Sequence, residues 1–89
     1  MAKFLAVHPL STPVTIAEGI PLAKLAKAYS TIDAYWVHTW AQQDENGKIT
    51  KLLCEWNAPN IDEVRKVVAK LPCPTEGVYP MIIVDSEDL

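Results

Sequence analysis

This sequence predicts an α+β domain: a four-stranded antiparallel sheet with two helices on one face. Three observations predict it. The 89 residues have room for a single core and therefore one domain, 1–89. The balance of 49% hydrophobic to 21% charged residues is that of a folded globular chain. Two helix-spaced apolar stripes then interrupt four segments rich in β-branched and aromatic residues, which gives the order βαββαβ.

The elements follow in order. AKFLAVH (2–8) reads as a short apolar strand that Pro9 stops, and LSTPVT (10–15) as a loop. IPLAKLAKAYS (20–30) carries Leu22, Leu25, Ala26 and Tyr29 at helical spacing, with Pro21 suited to a first turn. Gly19 and Pro21 argue against a start nearer Thr15. IDAYWVHTWAQQ (32–43) is strand, DENGK (44–48) is turn, and ITKLLCEW (49–56) is the returning strand.

The next segment, NAPNIDEVRKVVAKL (57–71), contains a helix with Asn60 as N-cap and Asp62 and Glu63 in its first turn. Its apolar stripe is Ile61, Val64, Val67/Val68 and Leu71, and Pro72 ends it. EGVYPMIIV (76–84) is the last strand, before an acidic tail. This is the ferredoxin-like βαββαβ pattern, with strand order 4-1-3-2. Its helices cover one sheet face and leave the other open, so homodimerisation through the open face is the expected remedy.

Charge excludes some functions. The net charge of −3 and eight scattered Lys and Arg provide no positive field for nucleic acid. No apolar run approaches the roughly 20 residues of a membrane span, and MAKFLAV is not a signal peptide. Cytoplasm is the expectation by default, and Cys54 and Cys73 fit free thiols in a reducing compartment.

YWVHTW (35–40) gathers one of two histidines and two of three tryptophans. A type I turn with a glycine bulge would pair Asp44 with Lys48. Counting back, His38 then faces Cys54, Trp36 faces Trp56, and Trp40 faces Leu52, all on one sheet face. Tyr35, Val37, Thr39, Ala41, Ile49, Leu53 and Glu55 would take the opposite face, mostly suited to helix packing. With His8 on the neighbouring strand, His8, Cys54 and His38 form a row of two imidazoles and a thiol. That set suits nickel, zinc or copper about equally. Trp36, Trp40 and Trp56 would wall a ligand pocket or a dimer seam.

Against the metal stands the absence of any HxH, HxxxH or CxxC spacing. A lone His–Cys pair in a sheet is more often packing than ligand. No Ser-His-Asp set, phosphate loop or carboxylate pair points to a catalytic centre. Glu55 reads as a solvated-edge acid and Cys73 as a tolerated loop thiol. The rival to a binding protein is a cofactor-free enzyme with His38 as acid–base group and the tryptophans stacked on a small aromatic substrate. A purely structural dimerisation module is the third reading.

Val7-His8, VHTWA (37–41), GK (47–48), C-x-x-x-A-P (54–59) and PTEGVY (74–79) together resemble a family of small, mostly uncharacterised ferredoxin-like proteins. At least one member is described as nickel-binding or nickel-responsive. The resemblance runs from about residue 3 to 84. It implies a dimeric α+β barrel and a metal site involving His8, His38 and Cys54, with nickel the first ion to try. The chain departs from the family in three places. Asn57 stands where a glutamate is common, and Val68 and Cys73 stand where histidines tend to occur.

Overall fold

A computed structural model describes all 89 residues. It contains β1 (Ala2–Val14), α1 (Ile16–Tyr29), β2 (Tyr35–Gln43), β3 (Ile49–Ala58), α2 (Ile61–Val68) and β4 (Gly77–Met81), followed by one 3-10 turn, Ser86–Asp88. The sheet is antiparallel in the order β2-β3-β1-β4, compatible with a ferredoxin-like fold.

Several boundaries differ from expectation, among them β2, which begins at Tyr35 rather than Ile32, and β3, which runs on to Ala58. Helix α1 starts at Ile16, not Ile20, because Thr15 and Glu18 form a capping box. The Thr15 hydroxyl accepts from Glu18 N, and Thr15 N donates to the Glu18 carboxylate at 2.9 Å. Those satisfied N–H groups offset Gly19 and carry Pro21 inside the helix. Strand β1 runs on through Pro9 to Val14, its pairing with β3 broken between Pro9 and Val14. Strand β4 ends at Met81, so Ile82, Ile83 and Val84 lie beyond the sheet at 85%, 61% and 73% exposure.

The core lies between the helices and one sheet face. Phe4 and Ala6 of β1 and Cys54, Trp56 and Ala58 of β3 meet Ala26 of α1 and Val64, Val67 and Val68 of α2. Helix α2 supplies most of the helical share, since its three valines are all buried. Its last turn tightens to i→i−3 bonds at Lys70 and Leu71, which brings Leu71 into the same core. Helix α1 buries only Ala26 outright and stands more loosely on the sheet.

The hairpin decides which residues share a face. Its turn forms as expected: Asp44 N donates to Lys48 O at 2.8 Å, Gly47 N donates to Asp44 O, and Gly47 has φ +77°. Ile49 then pairs with Gln43, but Lys51 pairs with Gln42, leaving Thr50 as an extra residue on β3. A second irregularity lies between Trp36↔Trp56 and His38↔Glu55, where Val37 is extra on β2. The two bulges compensate. Trp36 faces Trp56 as expected, while every pair between the bulges is offset by one, so Cys54 and Leu52 share the face of Thr39 and Ala41 rather than that of His38 and Trp40.

Candidate functional site

The bulges divide the expected row of His8, Cys54 and His38. His38 pairs with Glu55, Thr39 with Cys54, and Trp40 with Leu53. Cys54 and His8 point beneath the helices, while His38 and Trp40 lie on the open face. Trp36 and Trp56 pack into or against the core, Trp56 with no exposure, so the three tryptophans do not form one cluster. Thr39 and Ala41 take the helix side as expected, but Tyr35, Leu53 and Glu55, expected there too, lie on the open face, because the bulges shift the register between the strands. No three His, Cys, Asp or Glu side chains converge anywhere in the chain. The three expected ligands therefore do not fit a metal centre within one chain.

On the open face the residues build a polar network. The Lys3 ammonium donates to Glu55 Oε2 at 2.9 Å and to Asn57 Oδ1 at 3.1 Å. Asn57 Nδ2 donates to the Tyr35 hydroxyl at 3.0 Å. His38 Nε2 lies 3.3 Å from Glu55 Oε1, and the Trp40 ring stands edge-on to the imidazole at 4.3 Å between centroids. Register places these groups together: Lys3 pairs with Asn57 across β1 and β3, and His38 with Glu55 across β3 and β2.

Glu55 is buried, 8% exposed, on a face no helix covers, where a solvated edge was expected. A carboxylate there is tolerable because it has two basic partners. Trp40 at 52%, Tyr79 at 42% and Met81 at 47% leave apolar surface around it. Met81, Ile82 and Ile83 border the same cleft of about 70 Å³ as Trp40, Lys3 and Glu55.

His8 on the other side is 1% exposed. Its Nδ1 lies 3.0 Å from Pro74 O, 3.1 Å from Thr75 Oγ1 and 3.4 Å from Cys73 Sγ. A carbonyl oxygen can only accept, so Nδ1 carries the proton in the neutral ring. Burial lowers the basicity of His8 and the bond to Pro74 partly opposes it. The LPCPTEG loop, whose Cys73 read as incidental, thus caps His8. It is anchored by Glu76 N donating to Val7 O at 2.8 Å.

Both thiols are pushed above the usual cysteine range by burial. For Cys54, a hydrogen bond from the Thr39 hydroxyl at 3.2 Å works weakly the other way. Neutral thiols are poor ligands and poor nucleophiles. No helix is long and apolar enough to cross a membrane. No family model, curated protein or solved structure matches this chain.

Proposed function

We propose that this chain is a homodimeric binding protein that closes its open sheet faces over a small ligand. The observation that carries this reading is the buried Glu55, held by Lys3 and His38 and ringed by exposed apolar side chains on an uncovered sheet face. Tyr35, Trp40, Tyr79, Met81, Ile82 and Ile83 are all among the exposed large hydrophobic side chains of the chain. Such a cluster of exposed apolar groups is the usual mark of an interaction surface. The ligand is a small molecule that stacks its flat apolar part on Trp40 and turns a polar group to His38 and Glu55.

A divalent ion such as nickel is the alternative occupant. It needs donors from both copies, because one chain brings only His38 and Glu55 to this face, and Lys3 competes for the carboxylate. The His38–Glu55 contact also supports an enzymatic version, in which the carboxylate orients the imidazole for proton transfer.

Native mass spectrometry of the untagged protein tests the reading. Wild type is expected at twice the chain mass of 9.9 kDa, and Trp40→Glu is expected as a folded monomer. Titration with nickel, zinc and copper, against the His38→Ala/Glu55→Gln pair, separates the ion from an organic occupant. A monomeric wild type at micromolar concentration would sink the proposal.

A further inference from the structure

A cavity of about 130 Å³ lies on the opposite side of the sheet, between α1 and strands β1–β3. Eleven of its fourteen lining residues are apolar. Leu22, Ala23 and Ala26 of α1 roof it, and Leu52 and Cys54 form its floor. Ile16 and Ile20 stand at its rim, 65% and 44% exposed, so a molecule can reach it from solvent. The gap follows from how little of α1 packs onto the sheet.

His8 lines this cavity, and its Nε2 is buried without any hydrogen-bond partner. With Nδ1–H committed to the Pro74 carbonyl, Nε2 is the nitrogen that remains free, and it holds a lone pair. Burial keeps the ring below the usual histidine range, so it stays uncharged at neutral pH. A buried acceptor left unpaired destabilises the fold, so the site favours a molecule that can donate to it.

Water is a poor candidate to satisfy it. A buried water needs two to four polar partners. The Thr39 hydroxyl, the other polar group at the wall, already accepts from Trp36 Nε1 and donates to Cys54. One Thr39 lone pair and two neutral thiols remain, so a water bound to His8 would find one further strong partner at most.

Gly19 supplies an independent observation. It sits inside α1, where glycine is unfavourable, yet a Cβ there would meet only Ile49 Cδ1 at 3.9 Å. Nothing in the backbone requires glycine. What the missing side chain does is keep this wall of the cavity bare.

We infer that this cavity binds a one-ring or similarly small apolar molecule carrying a single hydroxyl or N–H donor, which His8 Nε2 accepts. The size matches, since an apolar protein cavity of about 150 Å³ accommodates benzene. The site is separate from the open face and does not depend on dimerisation.

The test uses the full chain, ¹⁵N-labelled, at pH 7.5, titrated with phenol and separately with benzene. Phenol is expected to bind with a dissociation constant of about 1 mM or lower, shifting the amides of Ala26, Leu52 and Cys54. Benzene, which lacks the donor, is expected to bind about two- to tenfold more weakly. His8→Leu should abolish that preference, and Gly19→Ile should exclude both probes without lowering the melting midpoint. If His8→Leu does not fold, the phenol–benzene ratio and the Gly19→Ile arm still decide. Equal affinity for the two probes overturns the inference. So do shifts centred on Trp40, or no saturable shift at either site up to about 10 mM phenol.

Discussion

Lowering the pH from 7.5 to 5.5 should destabilise this protein through His8, by an amount the structure bounds. His8 is 1% exposed, its neighbours are the Cys73 thiol, the Pro74 carbonyl and the Thr75 hydroxyl, and none of these carries a full negative charge. Its folded basicity is depressed, first by burial. An unfolded histidine takes up a proton below about pH 6.5. Between that pH and the lower folded value the unfolded chain binds more protons, so stability falls as pH falls. It is fully retained above 6.5.

If the folded ring stays neutral at pH 5.5, the loss reaches about 1.4 kcal/mol, the free energy of one pH unit of protonation in the unfolded state. For a domain of this size that is a drop of roughly 6–11 °C in Tm. The control is His8→Asn, whose side-chain amide can still donate to the Pro74 carbonyl and does not titrate. Each protein is melted by circular dichroism at pH 7.5 and 5.5, so any fixed cost of the substitution cancels. Wild type should lose several degrees more than His8→Asn. Equal losses, or a larger loss in the variant, would refute the buried neutral imidazole and the tautomer assigned to it.

Two further outcomes follow from packing. Gly19→Ala should raise stability by about 0.5–1 kcal/mol, because the added methyl finds ordinary contact with Ile49 and removes a helical glycine. Urea unfolding measures it, and a destabilised variant would mean that the wall of α1 is tighter than described. Trp56 has no exposure and its indole N–H is buried without a partner. Trp56→Ala should then lose about 3–5 kcal/mol, while Trp56→Phe should lose less than about 2 kcal/mol, since it removes the unpaired donor along with some contact area. Equal losses in urea would show that the indole nitrogen is satisfied after all.

The sequence by itself determined the element types and the hairpin turn. Composition and periodicity are local, and so is the glycine at positive φ in DENGK, which explains why these were legible. The start of α1 is legible too, in the Thr15-x-x-Glu18 box, a local signal that outweighs Gly19 and Pro21. What only tertiary structure decided is which residues meet. Nothing local marks Thr50 or Val37 as bulged. Beneath α1 the sheet accommodates Thr39 and Ala41, small enough to leave a cavity; His38 and Trp40 in their places would have to fill it.

That choice of face, made by volume across the core, separates His38 from Cys54 and His8. It brings His38 to Glu55 and Lys3 instead, two residues that never approach it in sequence. It also leaves His8 alone beneath the helices with one nitrogen bound to a loop 66 residues away and the other free. A strand's alternation predicts which neighbours share a face only while each residue has a partner. One unpaired residue reverses it, and packing decides where that residue falls.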